Sequence, residues 1–138
     1  MNKSEILAFM NANPIFHLAT ADGNIPHVRG MALYGADENG IIFSTGTQKD
    51  LHQQLSANSN VELCFNNYRE HIQIRVSGRI ENVNDMELKR QIVVKHRFLK
   101  PWIEEVGYEK LAVYRLKKGK VTVWTRAANL MPQIYTEF

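Results

Sequence analysis

The chain has 138 residues, 44% of them hydrophobic and 22% charged, which is ordinary globular usage. This length predicts one domain over residues 1–138, and the composition argues against a disordered chain, a collagen-like repeat or a coiled coil. The net charge of +3 is mild, and the only tight basic cluster, Lys117, Lys118 and Lys120 around Gly119, is typical of a hairpin turn, so a small anionic ligand is expected rather than a nucleic acid. A single cysteine excludes an intrachain disulfide.

The apolar runs of the chain argue against membrane partners and export. None of these runs approaches the roughly 20 residues that a membrane helix needs. The N-terminal apolar positions are broken by Glu5, Asn11, Asn13 and Pro14, unlike those of a secretory signal. We therefore expect a cytoplasmic protein.

The first third of the chain predicts one helix and three strands. The helix begins near Asn2, which has capping-box spacing to Glu5, and it stops at Asn13 because Pro14 disfavours helical geometry in the residue before it. Turn-forming residues then separate short apolar runs, which favours antiparallel pairing. The strands are predicted over residues 15–20, 27–34 and 41–45, as an antiparallel meander.

The middle of the chain predicts a short helix and two further strands. Thr47 is expected to cap the helix, because it has capping spacing to Asp50. Apolar and polar residues alternate over residues 61–65 and most clearly over residues 72–81, as in half-buried strands.

The last part of the chain predicts two helices and a hairpin. Asn84 has capping spacing to Glu87 and predicts a helix over residues 84–96, and Pro101 starts a shorter helix. The closing hairpin joins residues 111–116 to residues 121–125. Seven strands and three or four short helices indicate a mainly β (α+β) protein, a small antiparallel barrel with helices at its ends.

The familiar catalytic motifs are missing. The chain contains no dinucleotide-binding, Walker, metalloprotease or nucleophile-elbow motif. Cys64 lies in mid-strand, where a small packed residue is expected rather than a nucleophile. The histidines lack metal-ligand spacing, and His17 and His27 fit a cross-strand or solvated pair better than a metal site. We therefore predict no metal and assign no catalytic residue.

Polar residues near the strand ends remain as candidates for a binding site. Arg29 stands beside Gly30, whose missing side chain would let a flat ligand approach the backbone. Ser44 and Thr45 end the third predicted strand, shortly before Lys49.

Residues 47–49 admit two interpretations. In the first, Thr47, Gln48 and Lys49 open a helix. A hydroxyl, the free backbone amides of the helix start and the lysine then make a phosphate cradle. Alternatively, Thr47 only caps the helix and Lys49 is solvated. The residues by themselves slightly favour this second interpretation, since such caps are common.

Two pairs of residues on later strands are also candidates. Gln73 and Arg75 share the polar face of the clearest strand, which is either part of a site or simply solvated. Trp124 and Arg126 share a strand face, where they either flank an aromatic ligand or pack on the surface.

The order of these segments resembles the pyridoxamine 5′-phosphate oxidase-like family of FMN-binding split barrels. The resemblance covers residues 2–135 and rests on motif order, because each motif alone is weak. The segments that carry it are residues 26–31 (PHVRGM), 42–45 (IFST), Lys49, residues 57–63 (ANSNVEL), 73–78 (QIRVSG) and 120–124 (KVTVW).

The resemblance implies a six- or seven-stranded split barrel that binds one FMN per subunit at the interface of a homodimer. Arg29, Ser44 and Lys49 would hold the phosphate, with Ser44 and Thr45 binding the flavin by backbone and hydroxyl. Gln73 would lie near the ring system, and Trp124 and Arg126 would come from the partner subunit. The full set of cofactor-binding residues that it implies is Arg29, Gly30, Met31, Ser44, Thr45, Gln48, Lys49, Gln73, Arg75, Trp124 and Arg126.

The resemblance is greatest to the short, nitroimidazole-resistance-type flavin reductases. Gly30 and Gln48 depart from the common pattern, and the R-L-x-x-R run of the true oxidases is missing. The expected function is an oxidoreductase that reduces a small organic acceptor, such as a nitroaromatic, with a nicotinamide or other donor. The alternatives are a non-enzymatic electron carrier or flavin store, or a related barrel that binds haem or a deazaflavin.

Overall fold

A computed structural model describes all 138 residues. The helices are α1 (Lys3–Ala12), α2 (Asp50–Ala57), α3 (Met86–Lys95) and α4 (Lys100–Val106). The strands are β1 (Ile15–Asp22), β2 (Ile25–Ala32), β3 (Gly35–Asp37), β4 (Gly40–Gly46), β5 (Asn60–Asn67), β6 (Ile72–Arg79), β7 (Glu81–Asn82), β8 (Leu111–Leu116), β9 (Gly119–Thr125) and β10 (Tyr135–Glu137). Short 3₁₀ turns span Arg97–Leu99, Tyr108–Lys110 and Arg126–Ala128.

The strands form two sheets, in which every pairing is antiparallel. The six-stranded sheet has the order β10-β9-β6-β5-β1-β2, and the four-stranded sheet has the order β3-β4-β8-β7. The seven longer strands correspond to the seven predicted ones, and β3, β7 and β10 are short additions of two or three residues. The predicted mainly β, α+β fold class is confirmed.

The main core joins side chains from both sheets. In the six-stranded sheet, Phe16 pairs with Phe65 across β1 and β5, with their rings stacked at 4.9 Å. Phe43 of the four-stranded sheet meets Phe16 edge-on at 5.7 Å. Because side chains alternate along a strand, the residues between these core positions point to the opposite side of the six-stranded sheet, which we call the outer face.

A second core covers the other side of the four-stranded sheet. Ile42 of β4 and Val113 of β8 pack there with Ile92 and Val93 of α3 and Ile103 of α4. The four-stranded sheet is therefore covered on both sides, whereas the six-stranded sheet keeps its outer face free of helices.

The N-terminal helix forms as its capping pattern predicts. The Glu5 amide donates to Asn2 Oδ1 over 2.9 Å, and the Asn2 amide donates to Glu5 Oε2 over 2.8 Å. The helix ends at Ala12, followed by Asn13 as its C-cap and then Pro14. Four of its apolar side chains are buried in the main core, namely Ile6, Leu7, Phe9 and Met10.

Two predicted helix caps are wrong. Helix α2 begins at Asp50 rather than near Thr47, with Lys49 at the N-cap position and no side chain capping it. Helix α3 is capped by Asp85 rather than by Asn84, since the Asp85 carboxylate accepts from the Leu88 amide over 3.1 Å. Asn84 and Asp85 are both favourable N-cap residues, so the sequence pattern alone does not choose between them.

The predicted meander and closing hairpin are also wrong in their pairing. Strands β1 and β2 do form a hairpin, but β4 lies in the other sheet. Strand β8 pairs with β4 and β7, while β9 pairs with β6 and β10. The link between β8 and β9 therefore crosses from one sheet to the other. This crossing is tight, because a Cβ on Gly119 would lie 2.3 Å from the Ser77 carbonyl oxygen.

The predicted strand over residues 72–81 is interrupted. It runs as β6 to Arg79, leaves the sheet at the buried Ile80, and resumes as β7 in the four-stranded sheet. None of the four helices combines the length and apolar character needed to cross a membrane.

Candidate functional site

Arg29 lies on β2, the edge strand of the six-stranded sheet. It stands opposite Leu18 in register, so its side chain is directed to the core side rather than to the outer face. Its Nη1 donates to Thr20 Oγ1 over 2.8 Å, and its Nη2 donates to Gln54 Oε1 over 2.5 Å. The Thr20 hydroxyl also donates to Gln54 Oε1, over 2.6 Å. These contacts hold Arg29 beside helix α2.

The positive charge of Arg29 has no close counterion. No carboxylate lies within 4.0 Å of its guanidinium, since the four ion pairs of the molecule involve other residues. Partial burial lowers the pKa of Arg29, and the more distant charge of Asp50, at the start of α2, opposes that shift. An anion placed here would stabilise the guanidinium.

The two residues after Arg29 point to opposite sides of the sheet. Gly30 is exposed opposite His17 on the outer face, and a Cβ there would meet no atom within 4 Å. Met31 lies opposite Phe16 and packs, half-buried, against the main core. Gly30 therefore leaves open space on the outer face.

Ser44 and Thr45 also point in opposite directions, because they are consecutive residues of β4. Thr45 is buried on the side of Phe43 and the main core. Ser44 is half-buried on the side of Ile42, toward α3 and α4. Only one of the two hydroxyls is therefore directed to the main core, where Arg29 also lies.

Gln48 and Lys49 are exposed immediately before α2. Lys49 donates its amide to the Gly46 carbonyl over 3.1 Å and accepts from the His52 amide over 3.1 Å, which gives a tight turn into the helix. The predicted Thr47 cap is therefore wrong, whereas Lys49 is exposed, as the same interpretation expects. The first amides of α2 are instead free of any side-chain cap.

Gln73, Arg75 and Trp124 lie on the outer face, and other side chains orient each of them. Gln73 stands opposite Trp124 in register and donates to Asn66 Oδ1 over 2.8 Å. Trp124 Nε1 donates to Asn129 Oδ1 over 2.9 Å.

Arg75 is a partly exposed cation with several partners. It is 3.6 Å from Glu62 and donates to Gln133 over 3.1 Å and to Tyr135 over 3.4 Å. Arg126 is exposed just beyond β9, and its amide donates to the His71 carbonyl over 3.2 Å.

The predicted site residues thus form two separate groups. The core-side group is Arg29, Met31 and Thr45, with Gln48 and Lys49 in the turn before α2, and the outer-face group is Gly30, Gln73, Arg75 and Trp124, with Arg126 just beyond β9. Ser44 belongs to neither group, because it points toward α3 and α4 and away from Arg29. Strand β9, which carries Trp124, is four strands away from β2, or roughly 19 Å at the usual strand spacing. Arg29 and Trp124 also point to opposite sides of the sheet.

Four residues that orient the predicted site residues were missed by the sequence analysis. Thr20 and Gln54 hold Arg29, Asn66 holds Gln73, and Asn129 holds Trp124. Asn66 had a signal, because strand alternation places it on the polar face with Cys64. Thr20 is a diagonal neighbour of Arg29 in the β1–β2 hairpin, so its contact depends on the hairpin register. Gln54 is distant in sequence and Asn129 lies in irregular structure, so no local pattern predicts their contacts.

Cys64, His17 and His27 all lie in strands of the six-stranded sheet. Burial raises the pKa of the Cys64 thiol, which disfavours the thiolate that a nucleophile requires. His17 pairs with Gly30, and His27 pairs with Thr20 on the opposite side of the sheet. The hypothesis of a His17–His27 cross-strand pair is therefore wrong, because the hairpin register offsets the two residues.

A comparison with protein families identifies the relationship. The sequence model of the family described as pyridoxamine 5′-phosphate oxidase matches residues 3–127. This chain belongs to the pyridoxamine 5′-phosphate oxidase family. The matched range contains every residue of the two groups described above, and the family is the one that the ordered motifs resemble.

The curated relatives align with about half of this chain. It is 34% identical over 71 residues to the pyridoxine/pyridoxamine 5′-phosphate oxidase of Agrobacterium fabrum, covering 51% of this chain and 34% of that protein. It is 39% identical over 71 residues to the enzyme of the same name from Pseudomonas putida, covering 51% and 33%. The match therefore spans about a third of the length of these relatives.

Solved structures share the fold along nearly the whole chain. A NimC/NimA family protein from Clostridium acetobutylicum superposes with a TM-score of 0.79 at 22% identity, covering 98% of this chain and 92% of that one. A FAD-binding protein from Mesorhizobium loti gives 0.68 at 18% identity, with 89% and 94% covered. PhzG from Burkholderia lata, in complex with tetrahydrophenazine-1-carboxylic acid, gives 0.66 at 16% identity, with 98% and 89% covered.

Proposed function

We propose that this protein binds FMN and acts as an oxidoreductase toward a small organic acceptor such as a nitroaromatic, with electrons from a nicotinamide or another donor. The observation that carries the proposal is the partly buried Arg29 guanidinium, which no carboxylate approaches within 4.0 Å. A phosphate monoester carries about −1.5 to −2 charges at pH 7, so it suits an unpaired guanidinium.

The start of helix α2 supports a phosphate site next to Arg29. Gln54 of α2 accepts a hydrogen bond from Arg29. The charge of Asp50, at the start of that helix, opposes the lowering of the Arg29 pKa by burial. Lys49 directly precedes Asp50, so it lies at the start of α2 and can add a second positive charge there. The uncapped amides of α2 are further donors, because a helix N-terminus attracts anions.

The two groups of site residues support a site shared between two copies of the chain. Arg29 and Trp124 point to opposite sides of one sheet, so one flavin does not contact both within a single chain. In a homodimer, the outer-face group of one subunit can approach the core-side group of its partner. Gln73 and Trp124 would then border the ring system, and Lys49 and Arg29 would bind the phosphate.

Exposed apolar residues support this homodimer. Ile15 and Val28 lie on the outer face with 66% and 68% of their surface exposed. The segment after Trp124 exposes Leu130 at 96% and Ile134 at 74%. Large apolar groups left this open are typical of an interaction surface. Light scattering is expected to show that the wild type is a dimer. Val28→Asp is expected to weaken this dimer. A wild type that is strictly monomeric at micromolar concentration would contradict the shared site.

A cleft next to Gln73 offers space for an acceptor. Its volume is about 340 Å³, and Asn66, which accepts the hydrogen bond from Gln73, is part of its wall. His17 and Tyr68 also line it and can hydrogen-bond a polar substituent. When bound, FMN supplies the hydride or electron transfer, while the residues of this chain bind and orient it.

The similar proteins support a flavin and a small cyclic organic substrate. One structural neighbour is a FAD-binding protein, and another binds tetrahydrophenazine-1-carboxylic acid, a cyclic organic acid. The curated relatives are named as oxidases of pyridoxine and pyridoxamine 5′-phosphates. We infer FMN rather than FAD because the phosphate site described above suits a terminal phosphate.

A flavin titration tests the cofactor proposal. The purified protein is expected to quench FMN fluorescence, and its absorption spectrum distinguishes a flavin from haem or a deazaflavin. Lys49→Ala is expected to weaken FMN binding by about tenfold, because a charge-assisted contact is lost, and to weaken riboflavin binding little. Lys100→Ala, at an exposed lysine on α4, is the matched control. Equal weakening of FMN and riboflavin by Lys49→Ala would contradict the phosphate role.

Anaerobic mixing with reduced nicotinamide nucleotides tests the reaction. The FMN-loaded protein is expected to lose its visible flavin absorption with NADH or NADPH and to recover it when a nitroaromatic is added. Reduction only by a protein electron donor, with no response to either nucleotide, would contradict this reaction and favour an electron carrier.

A further inference from the structure

A basic groove lies at the end of β6 and β9, away from Gln73 and Trp124. Its volume is about 720 Å³, and only one of its twelve lining residues, Val61, is hydrophobic. The charged residues that line it are Arg79, Glu81, Arg115, Lys117, Lys118, Lys120 and Glu137.

The groove concentrates the positive charge of the molecule. Its five cations and two carboxylates leave an excess of three positive charges, which equals the net charge of the whole chain. The rest of the chain is therefore electrically balanced, and the excess charge is local. A concave surface of one sign raises the local concentration of oppositely charged ligands.

Most of these cations lack a carboxylate partner. The one ion pair in the groove joins Arg115 to Glu81 at 3.8 Å. Arg79 donates instead to the Ser59 hydroxyl over 3.1 Å, and Lys117 and Lys118 make no ion pair.

Arg115 also carries an unsatisfied donor. Its Nε is buried and has no hydrogen-bond partner in the protein. Because this atom is closed to solvent, a ligand in the groove would meet the exposed part of the Arg115 side chain, 26% of its surface, rather than Nε.

Two glycines hold the lysine-rich segment against the sheet. Gly78 and Gly119 are register partners in β6 and β9. A Cβ on Gly78 would lie 2.6 Å from the Lys118 carbonyl oxygen, so no other residue permits this approach without a shift of the backbone. The backbone of Lys118 is thereby fixed beside the groove, which lowers the entropic cost of binding a ligand there.

We propose that this groove binds a small ligand that carries two or more linked phosphate groups. Several cations around one groove suit a polyphosphate, because adjacent phosphates can contact them at the same time. The volume lies in the range of small-molecule sites, and eleven of the twelve lining residues are polar, charged or glycine. Charge and hydrogen bonds therefore provide specificity, while the aliphatic stems of the long side chains form much of the wall. Glu81 and Glu137 in the same groove oppose an extended polyanion such as a nucleic acid.

This site is distinct from the proposed flavin site. Gln73 and Gly78 are five residues apart on β6, which is roughly 16 Å along a strand. None of the predicted flavin-site residues lines the groove. The proposal therefore does not depend on whether the protein binds FMN.

Calorimetric titration of the FMN-saturated protein with sodium tripolyphosphate, near physiological salt, tests the proposal. We expect one saturable site per chain, with an affinity at least about tenfold higher than that for inorganic phosphate. Binding that does not saturate, or equal affinity for the two anions, would overturn it. Tighter binding of a single-stranded oligonucleotide than of tripolyphosphate would also overturn it. If FMN does not bind, the same titration is made on the chain alone.

Paired charge-removing variants show whether the groove is the site. The double variant Lys117→Gln/Lys118→Gln is expected to weaken tripolyphosphate binding by about tenfold or more. The control Arg97→Gln/Lys100→Gln removes the same charge from exposed positions elsewhere and is expected to change it by less than about twofold. Equal losses in the two double variants would indicate unspecific attraction and contradict a built site.

Two cross-measurements separate the groove from the flavin site. Lys117→Gln/Lys118→Gln is expected to leave FMN affinity unchanged, and Lys49→Ala is expected to leave tripolyphosphate affinity unchanged. Loss of tripolyphosphate binding in Lys49→Ala would mean that the anion occupies the flavin phosphate site, and the groove proposal would be wrong.

Discussion

Arg29 and Gln54 connect the edge of the six-stranded sheet to helix α2, with the guanidinium Nη2 donating to the Gln54 side-chain oxygen over 2.5 Å. The same oxygen accepts from the Thr20 hydroxyl. A neutral amide therefore orients the guanidinium and leaves its charge uncompensated. This arrangement suits a cation whose partner is a ligand rather than another side chain.

Replacing Gln54 by Glu is expected to weaken FMN binding by about tenfold or more, because the new carboxylate would pair with Arg29 and repel the phosphate. Gln53→Glu adds the same charge at the exposed neighbouring position and serves as the control. Fluorescence titration of FMN measures both variants. Unchanged FMN affinity in Gln54→Glu would show that Arg29 does not bind the phosphate.

The start of helix α3 gives a prediction about stability. Asp85→Ala is expected to lower the free energy of unfolding by about 1 kcal/mol, because the Leu88 amide loses its acceptor. Asn84→Ala, which changes the cap predicted from the sequence, is expected to lower it by less than about 0.5 kcal/mol. Urea denaturation measures both values. A larger loss in Asn84→Ala would contradict the observed start of the helix.

The crossing between the sheets gives a second prediction about stability. Gly119→Ala is expected to lower the free energy of unfolding by about 2 kcal/mol or more, because its Cβ would lie 2.3 Å from the Ser77 carbonyl oxygen and the backbone would have to shift. Gly30→Ala is the control, since its Cβ meets no atom within 4 Å. Thermal unfolding compares the two, and similar melting temperatures would argue against the close approach.

Tyr114 makes stability depend on alkaline pH. Burial raises the pKa of its hydroxyl, which hydrogen-bonds to His52 Nδ1, to about 12, compared with about 10 in an unfolded chain. The protonated form is therefore favoured by folding. Its contribution is fully present below about pH 10 and is lost as the pH rises toward 12.

Comparison with Tyr114→Phe isolates this effect. Phe cannot ionise, so the difference in unfolding free energy between wild type and variant is expected to shift in favour of the variant above about pH 10. Denaturation at a series of pH values measures this difference. A difference that stays constant across that range would contradict the raised pKa.

The local elements were predictable because their determinants are close in sequence. Asn2 and Glu5 form the capping box that their spacing predicts, and Pro14 follows the end of the helix. In β5, Val61, Leu63 and Phe65 are buried as their alternation predicts. The candidate site was predicted in another way, from the resemblance of the ordered motifs around Arg29, Lys49 and Gln73 to those of the family.

The contacts that orient the site were not predictable in the same way. Gln54 reaches Arg29 from an element 25 residues away, and Asn129 reaches Trp124 from an irregular segment. Each contact depends on how a helix or turn packs against a strand. No spacing within one element encodes that packing.

The sequence by itself determined the order of the four helices and the seven longer strands, which side chains are apolar and which family the motifs resemble. Only the tertiary structure decided which strands pair, so β8 and β9 lie in different sheets although they are adjacent in sequence. It also decided that Arg29 and Trp124 point to opposite sides of one sheet. The physical reason is that the repeat of a helix or a strand is set by residues close in sequence. Which strands pair, and which side of a sheet a residue faces, depend instead on burying the apolar side chains of distant segments in one core.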